Sequence, residues 1–222
     1  MKIIQPSFKL VTPFGPLTEE RGIELLRFIE ANARISHRSE GAQTQDSWRR
    51  FLHEVVVKHA DYSVVEHSSV TAILRVDRGI SHQLVRHRLF AFTQESQRFV
   101  NYKKKGGELE FIRPIDLPEN METLWNISLV RAEMSYFEML EQRIAPEDAR
   151  SVLPNATATT LSMTSNLRNW RSFFMARVSN EAHPDMKRIV LPLLAEFKKY
   201  IPILFEDIET EVKQSISLAR AR

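Results

Sequence analysis

Two segments in which apolar side chains alternate constrain the fold of this chain most strongly. Residues 69–76 place Val70 and every second residue after it on one side, which is the period of a half-buried β-strand. Residues 157–164 are rich in β-branched side chains and predict a second strand. Helical spacing follows each strand, in SHQLVRHR and in NLRNWRSFFMARV. A chain with this pattern combines a sheet with helices.

Further helices are predicted from apolar residues that recur every three to four positions. Thr18 followed by Glu19 and Glu20 is typical of a helix start. We expect four such helices, over residues 18–36, 45–60 and 117–144 and from about Asp185, where Pro192 would bend the last one.

The rest of the chain adds one short strand and no sign of a domain boundary. The segment KKKGGELEFIRP predicts a turn at Gly106 and Gly107 and then a strand that ends before Pro114. No internal repeat and no linker rich in Gly and Ser divides the 222 residues. The sequence therefore predicts one α+β domain over residues 1–222, in which several helices flank a modest, mainly antiparallel sheet.

Two residue types are scarce enough to exclude whole classes of chemistry. The chain has no cysteine, which excludes disulfides, zinc knuckles, iron–sulfur clusters and a thiolate nucleophile. Its six glycines form neither G-x-G-x-x-G nor a P-loop. No apolar run follows the first residues as in a signal peptide, and none reaches the roughly 18 residues of a membrane span. We expect a cytoplasmic protein with no membrane partner.

Positive charge is concentrated in one segment. The formal net charge of the chain is only +3, with 31 basic and 28 acidic residues. The segment from Arg75 to Lys105 contains eight basic and two acidic residues. Its formal charge is therefore 8 − 2 = +6, and the remainder of the chain carries −3. Phe90, Phe92 and Phe99 lie among these cations. Such a segment is suited to a ligand that has phosphates and flat rings.

The sharpest motif of this segment is RHR, followed by seven residues and then S-x-R. It stands here as Arg86-His87-Arg88 and Ser96-Gln97-Arg98. With this motif the chain resembles the flavin-dependent thymidylate synthases. The segments SVVEH, HQLVRHR, ARSVLP and NLRNWRSFFMAR also look like that family, so the similarity spans roughly residues 50–205.

The resemblance implies a reaction and its cofactors. It implies that dUMP is methylated to dTMP, with 5,10-methylenetetrahydrofolate as carbon donor, FAD as hydride carrier and NADPH as the reductant of the flavin. Members of the family are homotetramers with active sites at subunit interfaces. The absence of cysteine fits, because the unrelated synthases that add a cysteine to the uracil ring need that residue.

The resemblance also implies roles for individual residues. A flavin dinucleotide needs cations and donors for its diphosphate and for the negative charge near N1 of the reduced ring. A nucleotide needs a phosphate clamp and donors to the uracil edge. Arg177 matches the arginine that polarises the pyrimidine, and is the expected catalytic residue. The flavin positions are Ser63, Arg86, His87, Arg88, Gln94, Asn166, Arg168 and Ser172; the dUMP positions are Gln83, Arg86, Gln94, Glu95, Ser96, Gln97, Arg98, Arg150 and Arg177.

Several positions depart from the family pattern. Ala91 lacks the hydroxyl that many members have there, and Asp61 stands where some relatives have a flavin-contacting histidine. Ser172 stands where Asn or His is frequent; it is kept in the flavin set, and Asp61 is left out. Ser96 has only His87 as a nearby base in the sequence, so we expect it to bind the nucleotide rather than act as a nucleophile.

Three other functions fit parts of the sequence. HEVVVKH approaches H-E-x-x-H, but its histidines are six residues apart, so it supports a shared zinc site poorly and we expect no metal. A nucleic-acid-binding module could use the basic segment, with salt-dependent affinity and no bound chromophore. A flavin enzyme of the same fold could methylate or hydroxymethylate another pyrimidine nucleotide, because the motif does not separate these products.

Overall fold

A computed structural model describes residues 1–100, 102, 108–179 and 181–208 of the chain. Within these ranges a π-helix covers His53–Lys58, and 3-10 helices cover Glu40–Ala42, Tyr62–His67, Glu119–Met121 and Arg150–Val152. No described helix is both long and apolar enough to cross a membrane. The strands are β1 (Lys2–Ile4), β2 (Ser7–Thr12), β3 (Gly15–Pro16), β4 (Ser69–Asp77), β5 (Ala91–Gln94), β6 (Glu110–Ile112) and β7 (Ala158–Asn166). The α-helices are α1 (Glu19–Ile35), α2 (Ser47–Leu52), α3 (Arg78–Leu84), α4 (Glu122–Glu141), α5 (Pro146–Ala149), α6 (Leu167–Arg177) and α7 (Pro184–Tyr200).

The strands form two sheets, and the expected α+β class is confirmed. Five strands make a mainly antiparallel sheet in the order β3-β2-β4-β7-β5. In β4 every second residue from Val70 to Val76 is buried, and the residues between them are half-buried. β1 and β6 form a separate parallel pair, in which Ile3 lies opposite Phe111. The periodicity of the sequence did not predict this second sheet.

The described chain divides into two compact units. Unit 1 comprises residues 1–8, 73–88 and 92–162, and unit 2 comprises residues 9–72, 89–91 and the described residues from 163 onward. Neither unit is a continuous segment, because the chain passes from one to the other within β2, β4, β5 and β7 and between Arg88 and Leu89. The assignment of one domain to residues 1–222 stays a prediction.

The core of unit 2 is built around Trp170 of α6. Its ring is fully buried, and its Nε1 donates to the carbonyl oxygen of Val70 at 2.9 Å. Aromatic pairs contribute about 0.5–1.5 kcal/mol each beyond the area they bury. This packing fixes the helix that carries Arg168, Ser172 and Arg177. The surrounding rings, with centroids 4.9–5.7 Å from that of Trp170, are Phe90, Phe173, Phe174 and Phe197.

The core of unit 1 brings α4 and α5 together with β6. Phe111 of β6 and Tyr136 of α4 are fully buried in it, with Leu129 and Ala149. Arg150 follows α5 directly. This apolar cluster therefore positions an arginine that the sequence assigns to the nucleotide.

Most predicted elements are confirmed, and two are corrected. α1 begins after Thr18, whose Oγ1 accepts from the backbone N of Arg21 at 3.3 Å as expected of an N-cap. The helix expected to carry SHQLVRHR ends at Leu84. The helix expected over 45–60 is an α-helix only to Leu52 and continues as the π-helix. The turn expected at Gly106 and Gly107 lies outside the described residues.

Gly22 is buried in α1, at a point where a side chain would collide with the end of α7. A Cβ atom at Gly22 would lie 1.7 Å from the carbonyl oxygen of Tyr200. The glycine that weakens the helical pattern in the sequence is therefore what lets α1 and α7 approach within unit 2.

We expect Gly22→Ala to lower the free energy of unfolding by about 1–3 kcal/mol, as overpacking does, although alanine favours a helix by about 1 kcal/mol over glycine. Urea unfolding of the two proteins measures the difference. Gly41→Ala is the matched control, because no atom lies within 4 Å of a Cβ at that position. Equal stability of Gly22→Ala and the wild type would contradict the expected collision.

Candidate active site

The arginine-rich turn follows α3 in unit 1. Asp77 caps α3 by accepting from the backbone N of Ile80 at 2.8 Å. After the helix the backbone forms a 3-10-type turn, in which the backbone N of His87 donates to the carbonyl of Leu84, three residues earlier, at 3.1 Å. Arg86 and Arg88 are exposed, and Gln83 and His87 are half-buried. The motif thus presents two guanidinium groups at the surface rather than on a helix.

The run from Gln94 to Arg98 begins at the end of β5. Nε2 of Gln94 donates to Oγ of Ser81 at 3.0 Å and to Oγ1 of Thr159 at 3.2 Å, so its amide nitrogen is committed to the protein. Oγ of Ser96 accepts from the backbone N of Arg98 at 3.2 Å.

Gln97 carries an unsatisfied donor inside this run. The residue is only 6% exposed, and its Nε2 has no hydrogen-bond partner among the described residues. Buried polar groups are nearly always paired, so such a group marks a position that a bound molecule can satisfy. This orphaned amide supports the placement of a polar ligand near the motif.

Two arginines that the sequence assigns to the nucleotide meet at Glu147. Nε of Arg98 donates to Oε2 of Glu147 at 3.0 Å, and Nε of Arg150 donates to the backbone carbonyl of Glu147 at 3.0 Å. Arg98 and Glu147 are about half exposed, which makes this pair a weak one. Two permanent cations of unit 1 therefore contact Glu147, and only Arg98 pairs with its carboxylate.

Glu95 contacts a different set of neighbours. Its Oε2 accepts from Nη1 of Arg75 at 2.7 Å and from the backbone N of Thr160 at 3.2 Å, and its Oε1 accepts from the hydroxyl of Tyr102 at 2.7 Å. The carboxylate that the sequence assigns to dUMP is thus held by protein groups on both oxygens.

The flavin positions of unit 2 cluster at the start of α6. Oδ1 of Asn166 accepts from the backbone N of Asn169 at 2.9 Å, which makes Asn166 the N-cap of α6. Arg168 forms an ion pair with Glu66. Ser172 lies one turn further on, and its Oγ donates to the carbonyl of Arg168 at 3.3 Å.

Ser63 is oriented by Asp61, the residue that departs from the family pattern. Oγ of Ser63 donates to Oδ1 of Asp61 at 2.6 Å, and the backbone N of Ser63 donates to the same oxygen at 3.2 Å. Because the hydroxyl of Ser63 donates its hydrogen bond to Asp61, its lone pairs remain able to accept a hydrogen bond from a ligand.

Arg177, the expected catalytic residue, is the last residue of α6 and is half-buried. Burial lowers the pKa of Arg177 from its ordinary value. That value lies so far above neutral pH that the guanidinium remains charged. The site thus has a partly desolvated cation that does not titrate.

Sequence reasoning missed three polar residues at these positions, namely Glu66, Glu147 and Asn169. Nδ2 of Asn169 donates to the carbonyl of Leu89 at 3.3 Å and to Oγ of Ser165 at 2.9 Å. It therefore anchors the residue that follows the arginine motif. Its position one turn after the Asn166 cap in NLRNW was the available signal.

The two units hold different parts of the predicted set. The chemistry of both parts, with permanent cations and hydroxyl and amide groups, fits a nucleotide and a flavin dinucleotide. Among the described residues, no three His, Asp or Glu side chains lie together as a metal site would require. Unit 1 holds Gln83, Arg86, His87, Arg88, Gln94, Glu95, Ser96, Gln97, Arg98 and Arg150, and unit 2 holds Ser63, Asn166, Arg168, Ser172 and Arg177.

Comparison with known sequences identifies relatives of one kind. Residues 24–203 match the sequence model of a family described as thymidylate synthase complementing protein. A flavin-dependent thymidylate synthase from Corynebacterium aurimucosum is 32% identical over 176 residues, which are 71% of this chain and 68% of that protein. For two further curated relatives the match covers 64% of their length.

Two solved structures share the fold. ThyX from Helicobacter pylori, solved with FAD and dUMP, has a TM-score of 0.70 at 20% identity, covering 82% of this chain and 94% of that one. The UMP/dUMP methylase PolB from Streptomyces cacaoi, bound with 5-Br dUMP, has a TM-score of 0.72 at 20% identity, covering 95% of this chain and 97% of that one.

Two substitutions at Asn166 separate its cap role from a flavin contact. Asn166→Ala removes the acceptor for the backbone N of Asn169 and should cost about 0.5–2 kcal/mol of unfolding free energy in a urea titration. Asn166→Asp keeps that acceptor and should keep the stability of the wild type. If the amide also contacts the flavin, both variants lose bound FAD, since a carboxylate repels a diphosphate and alanine offers no donor.

Absorbance of the purified proteins measures the flavin content. Full retention of FAD by Asn166→Asp would remove Asn166 from the flavin set, and unchanged stability of Asn166→Ala would show that the cap contributes nothing.

Proposed function

The chain belongs to the thymidylate synthase complementing protein family, that of the flavin-dependent thymidylate synthases, and we propose that it converts dUMP to dTMP. In this proposal 5,10-methylenetetrahydrofolate supplies the carbon, and FAD reduced by NADPH supplies the hydride. The observation that carries the proposal is the family match over residues 24–203, which contains every predicted site residue from Ser63 to Arg177. All reactants are small molecules, so the proposal places the enzyme in the cytoplasm and requires neither nucleic acid nor a membrane.

Arg98 and Arg150 are the proposed clamp for the nucleotide phosphate. Nε of Arg98 donates to the carboxylate of Glu147 and Nε of Arg150 donates to the backbone carbonyl of Glu147, so both arginines contact the same residue. An exposed ion pair contributes about 0–1 kcal/mol, whereas a phosphate offers more charge and three oxygens. A nucleotide can therefore replace Glu147 at Arg98 at small cost. Gln83, Arg86, Gln94, Ser96 and Gln97 complete the proposed nucleotide contacts.

The proposed flavin contacts are those that the family resemblance implies. Arg86, His87, Arg88 and Gln94 of unit 1 and Ser63, Asn166, Arg168 and Ser172 of unit 2 are the proposed contacts. FAD supplies hydride transfer when it is bound. The arginines offer forked donors that match a diphosphate, and the start of α6 adds the positive end of its helix dipole.

Arg177 is the proposed catalytic residue, and its role is electrostatic. A guanidinium that is half removed from water interacts more strongly with charge that develops on the pyrimidine. Since it does not titrate near neutral pH, it stabilises negative charge without transferring a proton. The chain has no cysteine, so activation of the ring falls to such a cation.

A homotetramer with active sites between subunits is part of the proposal. Arg86 and Arg88 are exposed in the single chain, as groups that meet a ligand at an interface would be. α4 exposes a row of apolar side chains at helical spacing, which a second copy would cover. These are Leu124, Ile127, Val130 and Met134, with exposed fractions of 57%, 44%, 40% and 64%.

Mass spectrometry of the nucleotide product tests the proposed reaction. The FAD-loaded protein is incubated with dUMP, 5,10-methylenetetrahydrofolate and NADPH, and we expect dTMP to form. A hydroxymethylated product, or methylation of UMP in preference to dUMP, would favour the related pyrimidine enzyme instead. A colourless protein that does not bind added FAD but binds polynucleotides in a salt-dependent way would overturn the proposal in favour of a nucleic-acid-binding module.

Arg177→Ala should reduce turnover by at least about 10²-fold, as the loss of one transition-state donor does, while FAD stays bound. Arg177→Lys should recover part of the loss, because it restores the charge but not the forked geometry. The control is Arg50→Ala, an exposed arginine of α2 outside the proposed site. Unchanged turnover in Arg177→Ala would remove the catalytic assignment.

A further inference from the structure

Glu95 lies inside the signature, yet its contacts lead into the sheet. Four hydrogen bonds hold this residue. Three reach its carboxylate from Arg75, Tyr102 and the backbone of Thr160, and in the fourth its own backbone N donates to the carbonyl of Thr160 at 2.8 Å. The side chain is only 19% exposed. Both its side chain and its backbone are therefore bonded to the protein.

Gln94 and Glu95 contact opposite faces of the sheet. Gln94 donates to the side chain of Thr159, which is buried, whereas Glu95 bonds to the backbone of Thr160, whose side chain lies on the half-buried face. Consecutive side chains of an extended segment point to opposite faces. A ligand that contacts the side chain of Gln94 is therefore on the other side of the chain from the carboxylate of Glu95.

Arg75 connects Glu95 to a second carboxylate. Its Nη1 donates to Glu95 and its Nη2 donates to Oε2 of Glu110 at 2.8 Å. Lys2 donates to the other oxygen of Glu110 at 3.2 Å. Burial acts to raise the pKa of Glu110, but the bonds from Arg75 and Lys2 outweigh it and lower that pKa. The carboxylate therefore stays charged and keeps Arg75 in place.

Tyr102 provides a further hydrogen bond to the carboxylate of Glu95. Its hydroxyl donates to Oε1 of Glu95, on the oxygen that Arg75 does not use. Burial, and then the bond to Glu95, raise the pKa of Tyr102 far above neutral pH, so the phenol remains a neutral donor in any ordinary assay. Bonds to a charged acceptor are stronger than neutral ones.

We propose that Glu95 is a positioning residue, which Arg75, Tyr102 and Thr160 hold so that the Gln94–Arg98 run keeps its nucleotide-binding conformation. Glu95 itself does not touch the nucleotide, which replaces the contact that the sequence predicted for it. The inference deepens the proposed function and rests on it for the identity of the ligand. The restraint that these hydrogen bonds place on the Gln94–Arg98 run is a property of the chain and can be measured without a ligand.

Tyr102→Phe is the discriminating variant, because it removes one bond to Glu95 and alters no predicted ligand contact. In the FAD-loaded protein we expect the dissociation constant for dUMP, measured by calorimetry, to rise roughly tenfold, while kcat at saturating dUMP is unchanged. Hydrogen exchange of peptides that cover residues 92–98 should quicken with or without dUMP. Lys2→Met, which loses a bond to Glu110 but none to Glu95, is the matched control and should change neither quantity.

Glu95→Gln provides the second measurement. It should weaken dUMP binding at least as much as Tyr102→Phe, and the double variant should bind no worse than Glu95→Gln alone, because both changes break one network. Weak binding in Glu95→Gln together with wild-type binding in Tyr102→Phe would mean a direct contact and would overturn the inference. A lower melting temperature without any change in the dissociation constant or in exchange would also overturn it, since that is a purely structural role. If the wild type binds no dUMP, the proposed function fails, and exchange still decides whether the network holds the run.

Discussion

The two-residue period of β7 is the constraint on which the candidate site depends. Thr159 is buried and meets Gln94, while Thr160 is half-buried and meets Glu95. A shift of one residue in the register of this strand would exchange its two faces. It would also expose Leu161, which is fully buried. The apolar core thus decides which side chains of the signature the sheet holds, and which ones remain for a ligand.

Local periodicity predicted elements that bury one side, and the resemblance to the family was confirmed by the match over residues 24–203. β4 and α6 were predicted because their apolar residues recur at two or at three to four positions, and β7 was predicted because it is rich in β-branched residues. β6 was predicted as the strand before Pro114, but β1 and its pairing with β6 were not, since three residues are too few to show a period and the partners lie 108 positions apart. The helix predicted through the arginine motif ends at Leu84, and Phe90, a few residues later, is buried against Trp170. Tertiary burial of this kind leaves no signal in local spacing.

The charge count located a basic segment, but it did not distinguish cations of the fold from cations of the site. Arg75 contributes to the +6 of that segment, yet it bridges Glu95 and Glu110. Arg98 pairs with Glu147, an acidic residue outside the segment that counting could not connect with it. Such pairs are visible only once strands distant in sequence lie side by side. The hydrogen bonds distinguish Arg75, which is half-buried and bonded to two carboxylates, from Arg98, which is exposed and pairs with one exposed carboxylate.

In the proposed reaction, Arg177 serves both a helix and the chemistry. A cation in the last turn of α6 is favoured by the negative end of the helix dipole, whereas burial disfavours it and lowers its pKa. The first effect holds the charge in place, and the second leaves it poorly hydrated, so it gains more from a new anion nearby. The aromatic core around Trp170 restrains the helix that carries it. A chain without cysteine can therefore activate an electron-poor ring by placing a fixed charge beside it, where a thiolate would have to form and break a bond.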